Sequence, residues 1–294
     1  MSENVEIQEV GPRDGLQNEK TVLTPDQRAQ LSEMLIDSGL RRIQVGSFVN
    51  PKLVPQMGKT DEVLSILGKP KGVRLSALIL NKRGLELAIM SQVDHVEIGV
   101  SASESHSLRN TGLTRPVALN VAREIIPVAR ESGIRTTATV MCAFGCEFEG
   151  PIDGGIVKSI ASDLFDSDPD EISLADTTGR GTPDQVEKLL QSIMPITAPE
   201  KISLHFHDTY GNAVRNVLKA LDMGIRKFDS SLGGLGGCPF VPGASGNLST
   251  EKLLDCVNRR NLFTGIDPDS LQKAVIFVRK MLSSAISTNH SGQH

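Results

Sequence analysis

The sequence predicts an α/β fold in which eight strand–helix units close into a (β/α)8 TIM barrel with its active site at the C-terminal ends of the strands. Eight short runs rich in β-branched residues recur at intervals of about thirty residues, and each is followed by a segment with helical spacing. No GxGxxG motif follows the first run, so an open dinucleotide-binding sheet is not favoured. Polar residues of catalytic type fall where the predicted strands end, which is the face that such barrels use for chemistry.

The predicted elements have the lengths and boundary signals of βα units. The strands are expected at residues 5–10, 42–45, 73–78, 95–100, 135–141, 171–175, 202–206 and 227–231. Thr24 is the expected N-cap of a helix over 25–38, because a proline follows it and Gly39 lies just past the end. Helices over 116–132 and 183–194 begin with proline in the same way.

The composition is typical of one large globular domain. With 294 residues, of which 39% are hydrophobic and 22% charged, we expect a single TIM-barrel catalytic domain over 1–286 and a disordered polar tail over 287–294. A net charge of -4 and 3% aromatic residues argue against a nucleic-acid partner, and no apolar run is long enough for a membrane. Four widely spaced cysteines indicate reduced thiols, and without a targeting segment the expected location is cytoplasmic.

His205 and His207 lie at the end of the seventh predicted strand, in the stretch HFHD. Alternate residues of a strand point to the same side, so both imidazoles can face one point. One packed and one exposed histidine is the simpler interpretation, but Asp14 follows strand 1, which a closed barrel brings to the same rim. Two imidazoles, a carboxylate and an amide oxygen suit a divalent cation such as Mg²⁺ or Mn²⁺ with positions left for substrate.

Arg13 and Cys238 are two further candidates for catalysis. Arg13 precedes Asp14, and a permanent positive charge beside a metal is useful when an anionic substrate or an enolate is present. A surface Arg–Asp pair in a turn is the alternative. Cys238 lies in the glycine-rich loop 233–247, which has the length and composition of a lid. Its thiol could exchange protons above a cationic site, or it could act as a small hydrophobic residue.

These stretches resemble the 3-hydroxy-3-methylglutaryl-CoA lyase family, within a superfamily of metal-dependent barrels that make or break carbon–carbon bonds. The matching segments are VGPRDGLQNEK at 10–20, SFVNPKLVPQM at 47–57, CAFGCEFEG at 142–150, EISLADTTGRGTP at 171–183, HFHDTYGNA at 205–213 and GLGGCPFVPGASGN at 234–247. The last segment is highly specific to the lyases, whereas RDGxQ and HxHD are shared with isopropylmalate and homocitrate synthases.

The resemblance implies a reaction and a set of site residues. The expected reaction is cleavage of 3-hydroxy-3-methylglutaryl-CoA to acetyl-CoA and acetoacetate, as in leucine degradation, by a homodimer. Arg13 is implied to stabilise enolate charge and Cys238 to assist proton transfer. The implied metal ligands are Asp14, His205, His207 and Asn247. The positions implied to line or support the substrate pocket are Gln17, Ser47, Ser173 and Asp176.

Gln44 is a departure from this family. The lyases carry a glutamate at this position of strand 2, and glutamine cannot accept a proton, so an acid–base group worth about 10²- to 10⁴-fold in rate is missing. Three explanations stay open. The amide binds a polar group of a related hydroxyacyl-CoA, another base such as Asp176 or a metal-bound water acts instead, or Gln44 is an engineered inactivating change.

Two other functions compete with a lyase. A synthase of the isopropylmalate type would run a Claisen condensation, although little chain follows the barrel for the extensions usual in those synthases. A degenerate barrel would bind CoA and metal without turnover because of Gln44. In each case the expected partner is a small acyl-CoA molecule, with no nucleic acid and no membrane.

Overall fold

The structure, a computed structural model, describes residues 3–236 and 246–288. In this part of the chain eight parallel strands pair in sequence order, and the first also pairs with the last, so the sheet is a closed barrel and the predicted fold is confirmed. The strands are β1 Glu6–Glu9, β2 Arg42–Ser47, β3 Arg74–Ile79, β4 His95–Ser101, β5 Arg135–Met141, β6 Glu171–Asp176, β7 Ile202–Phe206 and β8 Lys227–Ser230. The helices are α1 Pro25–Asp37, α2 Thr60–Leu67, α3 Lys82–Met90, α4 Glu104–Thr111, α5 Arg115–Glu131, α6 Gly154–Phe165, α7 Pro183–Ile193, α8 Ala213–Asp222, α9 Thr250–Arg259 and α10 Pro268–Thr288.

Helices begin where the sequence provides caps. At α1 the Thr24 hydroxyl accepts a hydrogen bond from the Gln27 backbone, and the Gln27 side chain accepts one from the Thr24 N–H. Thr182 and Gln185 form the same reciprocal pair at the start of α7. The bounds of β5 and β7 are those predicted, and the other strand ends differ by one or two residues.

The last described helix, α10, passes the predicted domain boundary at 286 and ends at Thr288. Residues 289–294 lie outside the described part of the chain, so the tail expected there stays a prediction. Among the described residues, no helix combines the length and the apolar character needed to cross a membrane.

Apolar side chains fill the space between the barrel and its helices. Ile43 on β2, Leu75 on β3 and Ile98 on β4 are almost fully buried and belong to one continuous apolar cluster. Strands covered on both faces usually consist of unbroken hydrophobic runs. Here hydrophobic residues alternate with polar ones, because the polar side chains point into the barrel.

The barrel interior is polar and hydrogen-bonded. Gln8 Nε2 on β1 donates to Glu97 Oε1 on β4 at 2.8 Å, and Arg42 Nη2 on β2 donates to Glu171 Oε2 on β6 at 2.9 Å. Both bonds join strands that are not neighbours in the sheet, so they cross the interior. Such groups are tolerated away from water only where partners satisfy them.

Glu171 holds three cations at the N-terminal mouth of the barrel. Its carboxylate oxygens lie 2.9 Å from Arg42, 3.3 Å from Arg74 and 3.2 Å from Lys227, and its side chain is 3% exposed. Burial by itself would raise the pKa of Glu171, but the charges of Arg42 and Lys227 lower it to about 2. This carboxylate therefore offsets part of the positive charge at the mouth and gives the three cations a shared buried partner.

Glu171→Gln is expected to lower the free energy of unfolding by about 3–5 kcal/mol at pH 7, because it leaves buried cations without a counter-charge. The folded pKa lies below the usual 4.5, so this contribution is complete above pH 4.5 and is lost as the pH falls towards 2. Urea unfolding of both proteins across this pH range measures the difference. Glu62→Gln breaks an exposed pair with Lys59 and is the control, expected to change stability by about 0.5 kcal/mol or less. Equal decreases in the free energy of unfolding for Glu171→Gln and Glu62→Gln would contradict the role of Glu171 as the buried counter-charge.

Candidate active site

The Arg13–Asp14 pair lies on a single π-helical turn, Gly11–Gly15, directly after β1. The turn packs closely on the loop that follows β8. A Cβ atom on Gly11 would lie 2.2 Å from Leu232 Cδ2, so only glycine fits there. This close approach brings the residues after β1 and after β8 into one site.

Glu9 forms hydrogen bonds to both the turn after β1 and the loop after β8. Its carboxylate accepts hydrogen bonds from the backbone N–H groups of Gly11 at 2.7 Å and Leu232 at 2.9 Å, and from the Thr250 hydroxyl at 2.6 Å. The side chain is fully buried, and burial raises the pKa of the Glu9 carboxyl to about 7. Glu9 therefore positions the turn that carries Arg13 without facing solvent.

Asp14, His205 and His207 each bring a possible ligand atom to within 4.8 Å of the others. His205 is on β7, and the backbone of His207 pairs with that of Asn247 in an antiparallel bridge. The two imidazole centroids are 5.1 Å apart. The structure thus brings together at one rim all four residues that the sequence suggested as metal ligands.

Hydrogen bonds orient these side chains. His205 Nδ1 lies 3.2 Å from Asp229 Oδ2, which leaves Nε2 of the imidazole free to bind a cation. Asn247 Nδ2 donates to Asp14 Oδ2 at 2.8 Å and to the Leu235 carbonyl at 3.1 Å. The Oδ1 atom of Asn247 is buried and has no hydrogen-bond partner among the described residues, which makes it the fourth candidate ligand.

Burial and neighbouring charges favour the ligating protonation states of Asp14 and His207. Burial by itself would raise the pKa of Asp14, but the Arg13 guanidinium, 2.5 Å from Asp14 Oδ1, and the hydrogen bond with His207 hold it well below its usual value. Burial lowers the pKa of His207, which favours the neutral imidazole. Burial opposes protonation of His205 too, but its hydrogen bond with Asp229 raises the pKa of that imidazole overall. An ionised Asp14 and a neutral His207 are the forms that bind cations.

Gln44 lies against Arg13, inside the barrel. The Arg13 Nε atom donates to Gln44 Oε1, and Gln44 is fully buried. The amide therefore contacts the guanidinium and lies behind it, on the side away from solvent. Arg13 is held from two directions, by Asp14 through Nη1 and by Gln44 through Nε.

Ser47 and Ser173 are 3% and 2% exposed. Their hydroxyls are buried and make no hydrogen bond within the described part of the chain. Ser173 pairs in register with Ser203, two residues before His205, so it lies beneath the rim. Gln17 follows the π-helical turn and is partly buried. These placements suit supporting positions more than open contacts, and their roles stay predictions.

Asp176 ends β6 and is fully buried. Its Oδ2 accepts a hydrogen bond from the Gly181 backbone at 2.9 Å, and burial raises the pKa of the carboxyl to about 6. This carboxylate holds the loop between β6 and α7. Cys238 lies outside the described residues, so its role also stays a prediction.

Three carboxylates of this region were missed by sequence reasoning: Glu9, Glu97 and Asp229. Each lies within a strand, and all three are at most 7% exposed. The signal that could have found them is a charged residue in a strand that a closed barrel covers on both faces, where charges need a specific partner.

Comparison with known proteins identifies the family of this chain. The chain matches the HMGL-like family model over residues 4–278. It is 40% identical over 278 residues to the mitochondrial hydroxymethylglutaryl-CoA lyase of Arabidopsis thaliana, a match that covers 95% of this chain and 59% of that relative. The chain therefore spans less than two thirds of the length of this relative.

Solved structures give the same family. The HMG-CoA lyase of Brucella melitensis superposes with a TM-score of 0.92 at 38% identity, covering 96% of this chain and 100% of that one. An HMG-CoA lyase of Acinetobacter baumannii, in complex with coenzyme A and 3-methylmalate, has a TM-score of 0.91 at 36% identity, covering 96% and 92%. With a family model that spans nearly the whole chain and the same closed barrel in its solved relatives, this protein belongs to the HMGL-like family.

Proposed function

We propose that this protein is a metal-dependent acyl-CoA lyase that cleaves 3-hydroxy-3-methylglutaryl-CoA, or a closely related 3-hydroxyacyl-CoA, to acetyl-CoA and a keto acid such as acetoacetate. The observation that carries the proposal is the Asp14, His205 and His207 cluster with Arg13 beside it at the C-terminal mouth. The names of its relatives and the coenzyme A in the Acinetobacter baumannii structure support the choice of substrate class.

The side chains at this mouth fit a divalent cation. Asp14, His205, His207 and the Oδ1 atom of Asn247, for which the described residues provide no hydrogen-bond partner, offer two nitrogen and two oxygen donors. Such a mixed donor set suits Mg²⁺ or Mn²⁺, with further positions for substrate oxygens. No cysteine is among these four residues, so the set does not resemble a structural zinc site.

A cation held here would act as a Lewis acid that lowers the pKa of the substrate's 3-hydroxyl. Transfer of the hydroxyl proton to a water molecule at the C-terminal mouth forms the new carbonyl, and the electrons of the C2–C3 bond pass to C2 as a thioester enolate. Arg13, a permanent cation with several N–H donors, stabilises that charge. A proton delivered to C2 then gives acetyl-CoA, and we propose Cys238 for this transfer. Asp176 is fully buried, so we assign it the support of the loop and not the role of base.

The finer features of this proposal come from the family resemblance. We propose a homodimer in the cytoplasm that acts in leucine degradation. Cys142, Cys146 and Cys256 are all unpaired and buried, which suits a reducing compartment. The two competing functions are a condensing synthase and a binding protein without turnover, and product analysis separates them from a lyase.

Asp229→Asn is expected to weaken Mn²⁺ binding about 10- to 100-fold, because His205 loses the carboxylate that orients its imidazole. Calorimetric titration of metal-free protein measures the affinity. Asp61→Asn, an exposed carboxylate on α2, is the matched control and should bind Mn²⁺ as the unchanged protein does. Equal affinities for all three proteins would remove Asp229 from the metal centre.

Purified protein with Mg²⁺ or Mn²⁺ is expected to convert 3-hydroxy-3-methylglutaryl-CoA to equal amounts of acetyl-CoA and acetoacetate. Arg13→Met should lower kcat about 10²- to 10³-fold, since it removes the donor to the developing enolate. Arg83→Met, an exposed arginine on α3, is the control with unchanged kcat. Product formed only from acetyl-CoA and a 2-oxo acid would identify a synthase, and binding of CoA and metal without turnover would identify a degenerate barrel.

A further inference from the structure

Glu97 on β4 is a buried carboxylate that none of the roles above uses. It is 5% exposed, and its Oε1 accepts hydrogen bonds from Gln8 Nε2 at 2.8 Å and Ser76 Oγ at 3.2 Å. Both donors are neutral, and no cation of the described chain lies within salt-bridge distance of Glu97. Burial, with a contribution from Asp229, raises the pKa of the Glu97 carboxyl to about 7. A buried carboxyl group inside the barrel without an ion-pair partner is costly, and such groups are often found where they have a specific function.

The Gln44 amide lies between Arg13 and Glu97. Its Oε1 accepts from Arg13 Nε. Its Nε2 is buried and makes no hydrogen bond to the described residues. Gln44 pairs in register with Ser76 on β3, and the Ser76 hydroxyl donates to Glu97, so the side chains of Gln44 and Glu97 lie near each other inside the barrel. Interaction with the Gln44 side chain also lowers the pKa of Glu97. An amide has one acceptor end and one donor end. Only one of its two orientations presents oxygen to Arg13 and N–H to Glu97.

We propose that Glu97 positions Arg13 through the Gln44 amide. The carboxylate accepts from Gln44 Nε2 and thereby selects the orientation in which Oε1 faces the guanidinium. The reverse orientation would set N–H donors of Gln44 against N–H donors of Arg13. A carboxylate on β4 thereby acts where the family resemblance would place one on strand 2. This inference rests on the proposed lyase function, in which Arg13 stabilises the enolate.

The positioning role of Glu97 makes a prediction that differs from the view that Gln44 is simply an inactivating replacement of a glutamate. Gln44→Glu should impair the enzyme, because it sets two carboxyl groups side by side in a buried site where both cannot be ionised. Glu97→Gln should impair it for another reason, since the new amide no longer fixes the orientation of Gln44. The double variant returns one carboxylate to the pair, now in direct contact with Arg13, and should recover activity.

Steady-state cleavage of 3-hydroxy-3-methylglutaryl-CoA tests this cycle with four proteins: unchanged, Glu97→Gln, Gln44→Glu and the double variant. Each single variant is expected to lose about 10- to 100-fold in kcat with little change in KM, because Arg13 acts on charge that develops in the transition state. The double variant should return to within about threefold of the unchanged protein. Independent positions would instead give the product of the two single losses.

Thermal unfolding of the four metal-free proteins gives a readout that needs no turnover. Gln44→Glu is expected to lower the Tm by about 4–8 °C, and adding Glu97→Gln should restore it. Glu171→Gln, a buried carboxylate at the opposite mouth, is the matched control. It should lower the Tm as well, but its kcat, measured where the variant is folded, should stay within about twofold of the unchanged value.

A Glu97→Gln variant with unchanged kcat, or a double variant no better than the worse single one, would overturn the positioning role. If the unchanged protein cleaves no thioester at all, the proposed lyase function fails. The unfolding cycle then decides separately whether Gln44 and Glu97 are in contact, and additive changes in Tm would overturn the pairing.

Discussion

Polar groups inside the barrel need hydrogen-bond or ion-pair partners from other strands, and the orientation of several site residues depends on those partners. Glu171 pairs with the three cations at the N-terminal mouth. Above it, Gln8 Nε2 donates to both Glu97 and Asp229, and Asp229 in turn contacts His205. These hydrogen bonds extend from the middle of the barrel to the end that carries the site. Removing one member leaves the next with an unmatched buried group, which is why such networks are rigid when complete.

The site draws its residues from strands at the two ends of the chain, and Glu9 holds those strands' loops in place. Its carboxylate accepts hydrogen bonds from two backbone N–H groups, Gly11 after β1 and Leu232 after β8, and so fixes the two loops against each other. Hydrogen bonds to a charged group are worth about 1.5–3 kcal/mol each, more than a neutral pair. Closure of the barrel makes this contact possible, because β1 and β8 are direct neighbours. The geometry of Asp14 relative to His207 is thus a consequence of sheet closure and of one buried carboxyl.

The sequence was informative wherever the signal is local. Capping residues predicted the start of α1, and the two-residue repeat of a strand predicted that His205 and His207 share a face. The roles of Gln44 and Glu97 were not predictable in this way. They depend on β1, β2 and β4 meeting inside the barrel, and residues so far apart in the chain carry no local pattern. The family resemblance led us to expect a glutamate where Gln44 stands, but only the structure shows that Ser76, the partner of Gln44 on β3, is hydrogen-bonded to a carboxylate on β4.

The position of that carboxylate matters for the chemistry of Arg13. Asp14 already binds one nitrogen of the guanidinium, and a second carboxylate in direct contact would neutralise it further. A neutral amide still accepts a hydrogen bond and so fixes the orientation, but leaves more of the positive charge for an enolate. Because Coulomb energy falls with distance, a carboxylate placed one side chain away attracts Arg13 less strongly than one in contact. Gln44 with Glu97 therefore fixes the guanidinium and leaves slightly more of its charge for the substrate, a difference small enough for the swapped pair to stay within about threefold in kcat.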